Sequence, residues 1–197
     1  MDFKTHLETA WHQTLKYLAP LILMTLVMVV ISMATAGILA LTMMAGYVQA
    51  IVDMMRNDRP PRIQDLFSRI DLFFPLLVFS IGAAMAVAIG FKLLILPGLA
   101  VACFLAFGCL YVIPLMVDRG MGLMDAIKTS WQMAIQDNLA DQVVVAILYV
   151  GFVSVGLSTF GLGTLITQPF ATVFLISVYF EKHKGLNETK PQTPPSV

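Results

Sequence analysis

Charge is what this chain has least of. Of its 197 residues 12% are charged and 58% hydrophobic, and mean hydropathy is +0.84. Soluble domains carry about 25% charged residues, so the shortage places the chain among polytopic membrane proteins. Neither sign prevails, because twelve basic and twelve acidic residues cancel. No global field draws in nucleic acid or an acidic substrate, and nucleic acid is excluded as a partner. Cysteine is nearly absent. Cys103 and Cys109 fall on different faces of one expected helix, which disfavours a disulfide. Two thiols are too few for a zinc site, so both read as packing residues. The three histidines, His6, His12 and His183, lie in terminal segments, and the first two point to different helix faces. The sequence also lacks an HExxH motif, a phosphate-cradling glycine loop and a nucleophile beside a base. No catalytic, cofactor or metal site is read, and the chain is expected not to be an enzyme.

What is present is three long apolar runs. Residues 17–52 and 142–180 carry no charge, and residues 72–117 carry only Lys92. One bilayer crossing takes about 20 apolar residues, so each run is two crossings long. Each has a glycine or proline near its middle: Gly37, Pro97-Gly98, and Gly161-Leu162-Gly163. The expected fold is all-α, with six transmembrane helices near 18–36, 38–55, 72–91, 98–117, 141–159 and 164–180. The first pair leaves almost no room for a turn, so one of its helices is short or re-entrant. The central hairpin is expected to form the core of the bundle. A cleavable signal is not expected, because Asp2 and Glu8 precede an apolar run longer than the usual ~7–15 residues.

Basic residues set the orientation. With six crossings, eleven of the twelve Lys and Arg residues share one side, and only Lys92 is opposite. The positive-inside rule makes the shared side cytoplasmic, with both termini there. A five-helix count divides the basic residues between faces. Acidic residues crowd the same side, which argues against a polybasic lipid surface. Arg56, Arg59 and Arg62 interleave with Asp53, Asp58 and Asp65 and read as a self-paired loop.

The charged stretches have helical periodicity. Phe3, Leu7, Trp11 and Leu15 recur every four residues; Ile63, Leu66, Phe67 and Ile70 form a second face; Leu123, Ile127, Trp131 and Ala134/Ile135 form a third. Each is expected as a short amphipathic helix in the interface, with Trp11 and Trp131 in an aromatic belt. An interfacial helix followed by a membrane hairpin thus occurs three times, in units near 1–55, 62–118 and 122–181. Leu18-Ala19-Pro20-Leu21-Ile22 and Phe73-Phe74-Pro75-Leu76-Leu77 open the first two hairpins alike, and Asn138-Leu139-Ala140-Asp141 opens the third. Residues 1–183 read as one membrane domain, and 184–197 as a polar, disordered cytoplasmic tail.

Two sets of residues stand out within the spans. Gly82, Ala86 and Gly90 lie four apart, as do Gly98, Ala102 and Ala106. Such faces let helix backbones approach closely, so tight packing of the third helix on the fourth is expected. The polar set is Gln49, Asp53 and Gln168. Asp53 lies near enough to the interface to reach water, and Gln168 precedes Pro169. These three are the candidate intramembrane polar site. Thirteen methionines, Met43, Met44, Met54 and Met55 among them, invite a copper reading. No Cys or His lies within a turn of those four, and flexible core filler is the reading kept.

The stretch Leu96-Pro97-Gly98, then Pro114-Leu115-Met116-Val117-Asp118-Arg119-Gly120 and residues 122–131, resembles the membrane domain of the glycerophosphoryl diester phosphodiesterase family. It also resembles related uncharacterised bacterial inner-membrane proteins. Gly46-Tyr47, Arg59-Pro60-Pro61 and Asp65-Leu66-Phe67 fit the same pattern. The resemblance implies an inner-membrane protein without the soluble catalytic domain, so no catalytic residue carries over. The expected role is a non-enzymatic accessory protein, scaffold or assembly factor. Membrane lipids and a protein partner or a second copy are its expected partners. The alternative is a transporter or channel for a small or amphiphilic solute.

Overall fold

The computed structural model describes residues 3–136, 139–158 and 163–189. Among the described residues it is helical throughout, without strands. The helices are α1 (Phe3–Lys16), α2 (Leu18–Ala34), α3 (Ala40–Asn57), α4 (Phe73–Leu93), α5 (Ile95–Gly108), α6 (Val112–Arg119), α7 (Leu123–Gln136), α8 (Leu139–Ser158) and α9 (Thr164–Thr189). Two short 3₁₀ turns, Ile63–Phe67 and Ile70–Leu72, lead into α4.

Local chemistry explains most of the breaks. α2 stops where Ala36 and Gly37 take positive φ, 49° and 82°, a conformation that glycine adopts freely. α3 ends at Asp58, also left-handed, and Pro60-Pro61 forbids its continuation. α6 ends on Gly120 at φ 61°, the usual glycine cap. The central fold-back lies at Leu94, which is fully extended, three residues ahead of the expected Pro97-Gly98. Pro97 stands instead in the first turn of α5, where its missing N–H costs nothing. The expected single helix 98–117 is divided by a break at residues 109–111, and Pro114 lies in the first turn of α6. α9 continues to Thr189, six residues into the segment expected as a disordered tail. Residues 190–197, Asn138 and the Gly161-Leu162 turn lie outside the described residues.

Among the described residues four segments are long and apolar enough to cross a membrane: Ile63–Leu93, Ile95–Arg119, Leu139–Ser158 and Thr164–His183. A fifth qualifies if α1 and α2, bent by 87°, count as one. Six were expected. α2 alone has 17 residues, about 26 Å against a hydrocarbon core of about 30 Å. α3 carries Gln49, Asp53 and Arg56 along its second half.

The core is not the central hairpin. Tyr47, Ile51 and Met54 of α3, Val112 and Leu115 of α6, and Phe174, Val178 and Tyr179 of α9 are fully buried. α4 buries only Leu76 and Gly90. The reason is physical: lipid tails are as apolar as leucine, so an apolar helix gains little by hiding from them. α4 is apolar all round and stands outward. α3, which mixes polar and small residues, is the helix enclosed. Gly46 sets one close approach in that core. A Cβ there would lie 2.1 Å from the carbonyl oxygen of Leu66, so the first 3₁₀ turn folds back against α3 at a point only glycine permits.

The expected amphipathic faces are partly rotated. α1 turns His6, Ala10 and Thr14 inward, and Trp11 of its apolar stripe is 57% exposed. Trp131 of α7 is not a free belt residue, because it packs on Gly108 and stacks 4.2 Å from Phe104.

Candidate functional site

A membrane helix leaves its last carbonyls without intrahelical donors, and in lipid each must find a partner. Where α5 breaks, the Ser130 hydroxyl of α7 donates to Gly108 O at 2.6 Å and accepts from Tyr111 N at 3.2 Å. The Gln142 amide of α8 donates to Phe107 O at 3.2 Å. Gln142 Oε1 accepts from the Tyr111 hydroxyl at 3.0 Å and from Lys182 Nζ at 2.9 Å. Lys182 is 4% exposed and also donates to Met133 O at 3.1 Å, near the end of α7. A cation at a helix C-terminus is favoured by the helix dipole as well. Arg69 caps α6 in the same manner, donating to Val117 O.

A carboxylate lies beside these caps. The Asp118 side chain is 1% exposed, with Oδ1 2.5 Å from Nη1 of Arg56 and Oδ2 3.7 Å from Nε of Arg119. The Tyr179 hydroxyl donates to Oδ2 at 2.9 Å, and the Arg56 guanidinium lies 4.9 Å above the Phe180 ring. α3, α6 and α9 are joined at this one group. A buried charge is tolerated only when so paired.

A third group joins the ends of the described chain. His6 of α1 makes a 2.7 Å hydrogen bond through Nδ1 to the Ser177 hydroxyl and a second through Nε2 to the Glu181 carboxylate. This is a nucleophile beside a base, which the sequence did not reveal. Ser177 and His6 stand 171 residues apart, and no spacing motif links them. Ser177 lies in the interior of α9, where helical bonding occupies its amide and those around it. The oxyanion donors of acyl transfer are therefore not supplied by that backbone, and the cluster fastens α1 to α9.

The candidate polar residues fall in two places. Gln49 Nε2 donates to Asp53 Oδ1 at 3.0 Å, and Arg69 Nε donates to Gln49 Oε1 at 3.1 Å. Arg59 approaches Asp65 at 2.9 Å and Asp53 at 3.9 Å. Gln168 is elsewhere. It contacts Met44 Sδ at 3.5 Å and Thr172 at 3.4 Å, and it hydrogen-bonds Tyr149. Met44 precedes Gln49 by five residues, about 140° round the helix, so the three side chains do not converge. Gln168 instead borders a groove of about 510 Å³ lined by Met28, Ser32, Met33 and Gly37.

The small residues also divide. Gly90 and Gly98 meet, since a Cβ on Gly90 would lie 2.8 Å from Gly98 Cα. A Cβ on Gly82 would meet no atom within 4 Å, and Ala86 is exposed. Ala102 and Ala106 line a groove between α5 and α8. At the edge of the polar layer, Lys16 Nζ lies 2.5 Å from Asp58 Oδ1, and the Tyr17 hydroxyl donates to the same oxygen at 2.8 Å. The Lys16 hydrogen bond first, then that of Tyr17, holds the Asp58 carboxyl below its ordinary range. The same Asp58 bond raises Lys16.

Fold and site together define, among the described residues, an all-helical protein whose helices include four or five long and apolar enough to cross a membrane, tied together by a polar layer. No family model, curated protein or solved structure matches the chain.

Proposed function

We propose that this is a non-enzymatic integral membrane protein acting as an accessory protein, scaffold or assembly factor. One observation carries the reading: the charged groups of the polar layer engage each other and helix ends. Arg56, Asp118 and Tyr179 pair across three helices, and Lys182 and Gln142 across two. Such a layer fixes a shape, and shape is what a scaffold contributes. The interfacial helices are its docking elements. The partner is a membrane protein or a second copy, in contact with lipid. Pull-down in mild detergent, with identification of bound proteins, tests the reading. A stoichiometric partner is the expected result, and recovery of a lone monomer overturns it.

The reading includes six crossings in three units, with both termini cytoplasmic in a bacterial inner membrane. Its support is that the ends assigned to one side touch one another: Lys16 with Asp58, Arg56 with Asp118, and His6 with Glu181. Lys92, assigned to the opposite side, stands beside the exposed Leu93–Leu96 turn. The chain order of a short element and then two long ones, three times over, supports the repeat, as does the family resemblance. Reporter fusions after residues 94 and 197 are expected on opposite sides of the membrane, and finding both on one side refutes the topology.

The groove beside Gln168 favours a second reading, transport of a small or amphiphilic solute. Gln168→Leu should then abolish flux in reconstituted vesicles without loss of folded protein.

A further inference from the structure

The turn between α4 and α5 has the wrong residues for a turn in water. Leu93, Leu94, Ile95 and Leu96 follow one another, and each is at least 67% exposed. Turns that face water favour Gly, Pro, Asn, Asp and Ser, and a run of four exposed apolar residues calls for a covering surface. Pro97 and Gly98 lie beyond the turn, inside α5. The nearest charge is Lys92, exposed in the last turn of α4 and one residue before the run.

The backbone of this turn is largely closed on itself. The Leu94 N–H donates to Gly90 O at 3.2 Å, and Leu94 O accepts from the Gly98 N–H at 3.3 Å. The close meeting of Gly90 with Gly98 permits both bonds, and Pro97 brings no N–H that needs a partner. Irregular backbone facing lipid is excluded from hydrocarbon depth. A turn bonded in this way suits the edge of the hydrocarbon, where headgroups serve the groups that remain.

Length sets the depth. α4 has 21 residues, about 32 Å at 1.5 Å per residue. At a tilt of about 20° it spans about 30 Å, the thickness of the hydrocarbon core. Its start is tied to the polar layer, because Arg69, four residues before Phe73, bonds Gln49 and Val117 O. The return leg, Ile95–Arg119, has 25 residues and comes back to Asp118 in the same layer. With the polar layer at one headgroup boundary, the turn falls at the opposite boundary and not beyond it. Phospholipid phosphates stand at that level, within reach of a lysine whose stem lies along apolar surface. The ammonium group and the four aliphatic side chains thus match the two halves of one boundary.

We propose that the α4–α5 turn is a lipid-binding tip. Residues 93–96 lie at the acyl–headgroup boundary of the leaflet opposite the polar layer, and Lys92 pairs with phospholipid phosphate there. The proposal rests on the reading that α4 and α5 cross the bilayer.

The test uses the full chain carrying Cys103→Ala and Cys109→Ala, with Leu94→Cys or Ile95→Cys bearing a nitroxide label. Both labelled positions are exposed, so either variant serves if the other folds poorly. The protein is reconstituted in vesicles of phosphatidylcholine and phosphatidylglycerol. Oxygen concentrates in lipid and a neutral nickel chelate stays in water, so the ratio of their collisions with the label reads depth. The expected ratio is above one at 94 and 95. It should fall below one for a label at Gly122→Cys, an exposed position just before α7. Adding Lys92→Leu to Leu94→Cys should raise the ratio further, because the tip sinks when no ammonium group holds it at the phosphates. A ratio below one at both turn positions places the turn in water and overturns the proposal. So does shielding from both reagents, which assigns the turn to a second copy. A ratio unmoved by Lys92→Leu refutes the phosphate pairing. Reporter fusions after residues 94 and 197 judge the crossing separately: with the two on opposite sides and a ratio below one, only the tip is refuted.

Discussion

Gly46 and Gly82 offer the same substitution in opposite surroundings. An alanine Cβ at 46 would stand 2.1 Å from Leu66 O and 2.7 Å from Asp65 O, both backbone atoms. Contacts under 3.0 Å require a shift, and here no flexible side chain can make it. The 3₁₀ turn must back away from α3, carrying Leu66, which is fully buried, out of its seat. Overpacking of this kind costs about 1–3 kcal/mol. The upper end applies, because the obstruction is main chain and α3 is enclosed on its other sides. At 82 nothing lies within 4 Å, and replacing a mid-helix glycine by alanine gains about 0.5–1 kcal/mol. The two variants should therefore differ by about 3–4 kcal/mol. For a chain of this size that is about 6–16 °C in apparent melting temperature. Size-exclusion recovery after heating in one mild detergent reads the difference directly. Gly46→Ala melting at or above Gly82→Ala would refute the close approach of the turn to α3, and with it the enclosed position of that helix.

Three further outcomes follow from the polar layer. Asp118→Leu strands two arginines and should cost about 3 kcal/mol, the low end for a broken buried pair because Arg56 reaches water. Adding Arg56→Met should recover part of that loss in the same heating assay. His6→Gln removes the link from α1 to Ser177 and Glu181, so limited proteolysis should release α1 first while the rest of the chain stays protected. Asp58, a lowered acid, stabilises above its ordinary value of 3.8 and loses that contribution as pH falls through its folded value. Lys16, a raised base, contributes below 10.5 and loses its effect only above that. The stability difference between the parent and Asp58→Asn should therefore be flat from about pH 5 to 9, and shrink in stronger acid and again in base above 10.5.

Local features were legible in the sequence because local chemistry makes them. The turn at Gly37 and the stop at Pro60-Pro61 follow from backbone rules that act within a few residues. Pairing within the Arg59–Asp65 loop followed from interleaved charges. Which helix sits inside was not legible, because hydrophobicity in a bilayer does not distinguish core from lipid contact. The segment that ends in α4 is as apolar as the one that holds α5 and α6, yet it is the least buried of the four. The pairing of His6 with Ser177, and the meeting of Asp118 with Tyr179 from 61 residues away, depend on tertiary approach that no spacing encodes. A trace of Asp118 was present: a lone carboxylate just after a long uncharged run, followed by Arg119 and a turn glycine. Gln49 and Gln168 looked like one site because both are amides in apolar helices, and helix rotation separates them.

The part played by α9 bears on how the molecule is made. It supplies Tyr179 to Asp118, Lys182 to Gln142 and Ser177 to His6. Earlier helices leave the ribosome with these groups lacking their α9 partners. Until the last helix arrives, Asp118 and the α7 carbonyl of Met133 must stay hydrated, shielded by the insertion machinery or held at the bilayer surface. Assembly thus closes in reverse, with α9 locking α1, and a chain cut before α9 leaves Asp118 and the Met133 carbonyl without these partners.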